Sequence, residues 1–223
     1  MPKKMEQTIS FADRKNRLLA SKIVGIIRVD HTEYIIELVQ ALVDGGVSTL
    51  EISLNTPNAL KAIKRVADHF GNKILLGVGT VTTVKQAKQS INAGAEFIVS
   101  PITDKKIQKY AKRFKTPTCM GALTPTEILT AFQMGSTLVK VFPAASLGPG
   151  YIKDITVPLP GIPLLPTGGV NKDNIEEWFK AGATALGIST ALFRKEDYLE
   201  KRFDLITENA RFLAQKAESA TQS

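Results

Sequence analysis

Disulfide frameworks, histidine metal sites and membrane spans all need residues that this sequence barely supplies. Cys119 is the one cysteine, so no intrachain disulfide can form and a reducing, cytoplasmic setting is expected. It sits in the short apolar run Pro117-Thr118-Cys119-Met120, where a cysteine serves as a small core residue rather than a nucleophile. His31 and His69 are the only histidines and lie far apart. A metal centre would have to be built mostly from carboxylates, and no close ligand pattern is present, so neither metal nor cofactor is expected. Aromatic residues make up only 7% of the chain. No apolar run approaches the roughly 18 residues of a membrane span, and no membrane partner is expected. Met1-Pro-Lys-Lys has the charge of a secretory leader, but Asp13, Arg14 and Lys15 fall where its apolar stretch would have to lie.

Charge is abundant and uneven. Twenty-nine Lys plus Arg stand against 21 Asp plus Glu, for a net +8 over 223 residues. The basic residues are scattered rather than bunched. With so few aromatics, that favours a small anionic substrate over nucleic acid. A basic nucleic-acid-binding protein is the alternative from another functional class, and a steep loss of DNA binding with salt would identify it.

A repeated alternation is present. After a lead-in helix over 6–20, with Phe11, Leu18 and Leu19 as its apolar contacts, short strand-like runs alternate with helical ones. Strands are expected at 23–28, 49–54, 74–78, 96–99, 118–120, 138–143, 162–165 and 184–187. Helices are expected at 32–43, 57–70, 83–92, 105–114, 124–134, 151–156, 171–180 and 199–217. Thr124-Pro125-Thr126-Glu127 carries an N-cap, a proline at the first helical position and a glutamate at the third. Gly46, Gly94, Gly135 and Gly182 each end a helix just before a strand, and each interval between them holds two strand–helix units. Eight such units make an α/β protein of the (β/α)8 (TIM) barrel type, a single domain over 1–223 with a lead-in segment 1–20 and a frayed tail at 218–223. The competing architecture is an open doubly wound sheet, but no G-x-G-x-x-G comes after the first strand.

In such a barrel the chemistry sits at the carboxyl ends of the strands. The stretch Leu138-Val139-Lys140-Val141-Phe142-Pro143 reads as a buried strand that contains a lysine. An arbitrary strand-end lysine snorkels to water. A lysine held out of water attacks carbonyl carbons as a free amine. In the second strand Leu50, Ile52 and Leu54 alternate with Thr49, Glu51 and Ser53, which turns Glu51 inward. The bland alternative is a buried Lys–Glu pair that only fixes packing. Clustered ionisable groups in a barrel mouth favour the functional reading. Gly168-Gly169 comes after the seventh strand, and Ser189 after the eighth, an arrangement suited to binding phosphate through backbone N–H groups. Arg28 ends the first strand and can clamp a carboxylate through paired hydrogen bonds.

The stretches Gly-Gly-Val-Ser-Thr-Leu-Glu51-Ile, Gly-Val-Gly-Thr80-Val, Ile-Val-Ser-Pro101, Gly121-Ala-Leu-Thr-Pro-Thr-Glu, Val-Lys140-Val-Phe-Pro143-Ala and Pro-Thr167-Gly168-Gly169-Val resemble the 2-keto-3-deoxy-6-phosphogluconate (KDPG) and 4-hydroxy-2-oxoglutarate (KHG) aldolases. The resemblance runs in family order from about Lys22 to Phe193. It implies a metal-free class I aldolase on a (β/α)8 barrel, a homotrimer, with Lys140 as Schiff-base lysine and Glu51 as acid/base. It implies that Thr80, Pro101 and Phe142 surround the pyruvyl portion, and that Gly168, Gly169 and Ser189 hold the phosphate. The implied reactions release pyruvate, with glyceraldehyde 3-phosphate from KDPG or glyoxylate from KHG. Asn55 departs from members with Arg there, and the Arg comes instead from strand one as Arg28. The relative that cleaves the 6-phosphogalactonate isomer also has Asn at this site, so that isomer is the alternative substrate. Where the family often shows Gly-x-Gly-Ser, this chain has Gly187-Ile188-Ser189, and Ile188 is expected to narrow the phosphate cup or change its affinity. A metal-dependent epimerase or synthase barrel sharing the cup is the rival enzyme class, and the sparse histidines speak against it.

Overall fold

The computed structural model describes residues 10–222. Its strands are β1 (Ile23–Ile27), β2 (Thr49–Ser53), β3 (Leu75–Gly79), β4 (Phe97–Val99), β5 (Thr118–Ala122), β6 (Leu138–Val141), β7 (Leu164–Pro166) and β8 (Leu186–Ile188). All pairings are parallel, in the order β7-β6-β5-β4-β3-β2-β1-β8. A bridge between Thr167 and Gly187 joins the two outer strands and closes the sheet into a (β/α)8 barrel, as the eightfold alternation predicts.

The helices are α1 (Phe11–Ala20), α2 (Ile35–Asp44), α3 (Ala59–Phe70), α4 (Val84–Asn92), α5 (Lys105–Arg113), α6 (Pro125–Gln133), α7 (Gly148–Thr156), α8 (Ile175–Lys180), α9 (Lys195–Leu199) and α10 (Phe203–Gln222). Their starts reflect local chemistry. Thr124 accepts a hydrogen bond from the Glu127 N–H while Glu127 reaches back to the cap, and Pro125 occupies the first turn, as the motif predicts. Thr83 and Gln86 form a second capping box. Gly46, Gly94, Gly135 and Gly182 all have positive φ, the conformation that makes glycine the natural stop after a helix.

Two layers of apolar packing result. Alternate strand residues such as Leu50, Ile52, Val139, Val141 and Leu186 meet the helices in one large core. The opposite set, with Val24, Leu75, Phe97, Val99, Cys119, Leu138, Leu165 and Ala185, fills the inside of the barrel. Leu18 of α1, fully buried, joins this inner cluster. Residues 6–9 of the expected lead-in helix lie outside the described residues.

Several element boundaries shift from the sequence reading, the starts of α2 at Ile35 and α7 at Gly148 among them, and three of the shifts have a clear local cause. The helix expected from Pro57 begins at Ala59, because a turn with Thr56 N–H on Ser53 O and Ala59 N–H on Thr56 O comes first. The helix expected from Asn171 begins at Ile175, because the Asn171 side chain accepts from the Asp173 and Asn174 N–H groups in an Asx turn. The helix expected at 199–217 starts later, as α10 at Phe203, and a separate short helix, α9, precedes it. Lys201 at φ 58° separates the two, and buried Asp197 of α9 pairs with Arg194 on its own side and with Arg202 across the break. Of the tail expected to fray at 218–223, the part through Gln222 is helical. Thr221 Oγ1 donates to Ala217 O and Glu218 O, and Ala220 packs against the helix-side core. Ser223 lies outside the described residues.

Candidate active site

At the carboxyl end of the barrel the inward positions change character. Glu51 faces inward because Leu50 and Ile52 turn to the helices, and only 2% of its surface is exposed. Room for it comes from the neighbouring strand: a Cβ on Gly79 would lie 2.7 Å from Glu51 Oε1. Glu51 Oε2 is buried without a hydrogen-bond partner. Burial pushes the Glu51 carboxyl above the usual carboxylate range, and the positive charges of Lys140 and Arg28 only partly oppose this.

Lys140 enters the same space from β6, flanked in the ladder by Gly121 and Leu165, with 7% of its surface exposed. Its Nζ lies 5.0 Å from the centre of the Phe142 ring, within reach of a cation–π contact. No ion pair of 4.0 Å or closer joins Lys140 to Glu51. The positive charge of Lys140 nevertheless bears on the Glu51 carboxyl. Cys119, deeper on β5, registers both groups. Burial, then the Glu51 charge, raise its thiol pKa while Lys140 opposes, so it stays a neutral core thiol.

The remaining predicted residues come to this same end. Thr80 sits just past β3 at φ 63°, an unusual conformation for a β-branched residue, and its hydroxyl lies 2.9 Å from that of Ser53. Pro101 lies against β5 because Gly121 has no side chain: a Cβ there would fall 2.2 Å from the Pro101 carbonyl carbon. Pro101, Gly121 and Phe142 line one hollow of about 350 Å³. Arg28 is exposed at the end of β1 and shares a small cavity of about 60 Å³ with Ser189.

Gly168 and Gly169 have φ of 95° and 76°, and a Cβ on Gly169 would strike Ala145 Cα at 2.8 Å. The Asn174 side chain donates to Gly169 O and ties the turn down. Because Thr167 bridges Gly187, Gly169 and Ser189 leave their strands side by side. Ser189 Oγ donates to Ile26 O at 3.3 Å, which turns it toward β1. The expectation that Ile188 narrows the cup is corrected: its side chain is buried in the helix-side core, away from the mouth. A larger hollow of about 650 Å³ lies outside the barrel between Asn171 and Asn209 and holds none of these residues. Among the described residues no His, Cys, Asp and Glu side chains gather in threes as a metal site needs, and no helix is long and apolar enough to cross a membrane.

Sequence reasoning missed Ser53 as the partner of Thr80, although its inward alternation with Glu51 was a usable signal. It also missed Lys195, which pairs with Asp30 beside Arg28 and Ser189. Nothing in the spacing of residues 30 and 195 links them.

A closed parallel barrel with a buried lysine and carboxylate at its carboxyl end defines a class I aldolase, a carbon–carbon lyase. Residues 15–208 match the family described as "Aldolase: KDPG and KHG aldolase", and the chain belongs to that family. It is 31% identical over 180 residues to the 2-dehydro-3-deoxy-6-phosphogalactonate aldolase of Escherichia coli K12, covering 80% of this chain and 88% of the relative. It is 32% identical over 196 residues to the KHG/KDPG aldolase of the same organism, covering 87% and 91%. Among solved structures it superimposes with a TM-score of 0.83 and 29% identity on the KDPG aldolase of Legionella pneumophila, which holds pyruvate as a covalent carbinolamine. That match covers 90% of this chain and 97% of the other.

Proposed function

We propose that this aldolase cleaves 2-keto-3-deoxy-6-phosphogluconate to pyruvate and glyceraldehyde 3-phosphate, and also 4-hydroxy-2-oxoglutarate to pyruvate and glyoxylate. The observation that carries the reading is the buried Lys140–Glu51 arrangement, with a glycine turn and a serine hydroxyl beside it on β7 and β8. Lys140 Nζ adds to the C2 ketone, and loss of water leaves an iminium. Glu51, through a water, takes the proton of the C4 hydroxyl. The C3–C4 bond breaks, its electrons flow into the iminium to give an enamine, and the aldehyde leaves. The enamine takes a proton at C3 from the Glu51 carboxyl, and water then hydrolyses the iminium to release pyruvate and the free amine. A carboxyl held above its usual range by burial suits this alternation of base and acid. Arg28 holds the keto-acid carboxylate, and Thr80, Pro101 and Phe142 enclose the pyruvyl carbons. Gly168, Gly169 and Ser189 take the phosphate. The protein works in the cytoplasm as a homotrimer.

Asn55 and the Escherichia coli relative of 31% identity favour a second reading, in which the natural substrate is the 6-phosphogalactonate isomer. Pyruvate release from a panel of both phosphorylated isomers and 4-hydroxy-2-oxoglutarate decides between them. The first reading expects the highest kcat/KM on the gluconate isomer. A galactonate preference of tenfold or more replaces it with the second.

A further inference from the structure

We propose that Lys195 is a substrate-binding cation for the phosphate end, held in reserve by Asp30 until a phosphorylated substrate arrives. The inference rests on the proposed phosphate cup and adds the countercharge that the cup lacks. The cup's own donors are neutral: backbone N–H groups around Gly168 and Gly169 and the Ser189 hydroxyl. A phosphate dianion bound only by neutral donors loses most of the benefit of charge-assisted hydrogen bonding. Two cations line the cavity beside Ser189, Arg28 and Lys195. In the proposed reaction Arg28 is engaged by the keto-acid carboxylate at the reacting end of the substrate. Lys195 is left for the far end.

Its present partner is Asp30, also on the cavity wall. Both side chains are open to water, 61% and 66% exposed, so the pair is screened and easily exchanged. A lysine ammonium is a compact charge on a flexible stem and can swing from a carboxylate to a dianion without backbone movement. Asp30 then acts as a competitor that a phosphorylated substrate displaces better than one without phosphate. Lys195 thereby sets specificity and takes no part in bond cleavage.

The test uses the full-length protein and the phosphorylated keto-deoxy sugar acid against the same acid without its phosphate. In Lys195→Met the preference for the phosphorylated acid falls about tenfold, carried by KM, with kcat changed less than about twofold. Lys195→Arg recovers most of the preference because the charge returns. Asp30→Asn lowers the KM for the phosphorylated acid about threefold, because the competitor is gone. Inorganic phosphate inhibits Lys195→Met more weakly than the wild type. A Lys195→Met preference within about twofold of the wild type overturns the role of Lys195 while leaving the cup in place. Equal losses on both acids, or a Lys195→Arg variant no better than Lys195→Met, also overturn it and leave a structural role. A wild type with no preference for the phosphorylated acid overturns the cup itself, and the inference with it.

Discussion

At the amino end of the barrel the inward side chains are apolar: Val24, Leu75, Phe97, Cys119, Leu138 and Leu165, with Leu18 of α1 packed among them. Toward the carboxyl ends of the strands, the inward positions include Glu51 and Ser53 on β2, Gly79 on β3, Lys140 on β6 and Thr167 just past β7. Both layers hang on the same parallel ladder. The lower layer is packed and dry, as a protein interior is expected to be. The upper layer keeps a carboxylate oxygen without a partner, a lysine without a close counter-ion and a threonine at positive φ. Each is a cost that the lower layer's packing has to offset, so substitutions at the two ends should separate stability from chemistry.

The largest effect is expected at Lys140. Lys140→Met keeps the apolar stem and removes the amine, so aldol cleavage should drop to background, since no other inward lysine stands beside Glu51. Borohydride reduction in the presence of pyruvate should add mass to the wild-type peptide that holds Lys140 and to no peptide of the variant. Label on another lysine in the wild type would remove Lys140 from its proposed role.

Glu51→Gln comes next, and here turnover and stability should respond in opposite senses. Turnover should fall by about 10²–10⁴-fold while borohydride trapping of pyruvate persists, because the amide keeps the shape but cannot take the proton. Stability should move the other way. The folded-state pKa of Glu51 is raised, so between the ordinary carboxylate value and that raised value the folded protein holds more protons than the unfolded one. Its stability therefore declines as pH rises through that window and levels off above it. Glu51→Gln escapes this decline. Denaturant midpoints of the two proteins should diverge with rising pH, the variant becoming the more stable, and parallel curves would mean that the buried carboxylate carries no such penalty.

This contrast also sets how much could be read from the sequence. Leu50-Glu51-Ile52 and Val139-Lys140-Val141 announced inward charges because side-chain alternation is a local property of a strand. The capping box at Thr124 and the glycine stops were legible for the same reason. The start of α8 and the break between α9 and α10 were not. They depend on an Asx turn and on a buried Asp197 shared by two arginines, which only the folded chain brings together. Ile188 misled because sequence position placed it beside the cup, while strand alternation turns it to the helices. Lys195 and Asp30 meet only because β1 and β8 are neighbours in the closed barrel.

Leu18→Ala probes the other end. Removing a fully buried leucine typically costs about 2–5 kcal/mol through lost transfer energy and the cavity left behind. The midpoint of urea unfolding should fall accordingly. At a temperature where the variant is folded, kcat and KM should match the wild type, because Leu18 touches the inner cluster and not the mouth. A changed kcat would show that the two layers are mechanically coupled.

Ser53→Ala is expected to give the smallest effect and to sharpen the boundary between the layers most finely. Ser53 is fully buried, one inward position beyond Glu51, and its hydroxyl lies 2.9 Å from that of Thr80 while accepting from the Asn55 N–H at 3.3 Å. Losing it leaves the Thr80 hydroxyl without this partner in a backbone conformation that a threonine seldom adopts. A typical net hydrogen bond is worth about 1 kcal/mol, or roughly fivefold in an equilibrium constant. If Thr80 is set by Ser53 to face the pyruvyl carbons, that factor should appear in KM for pyruvate in the reverse, condensing direction. The midpoint of unfolding should move less, because Thr80 then relaxes toward an ordinary conformation and recovers part of the strain. If the whole loss appears in stability and none in KM, Ser53 belongs to the packed layer, and the boundary between scaffold and site lies above it.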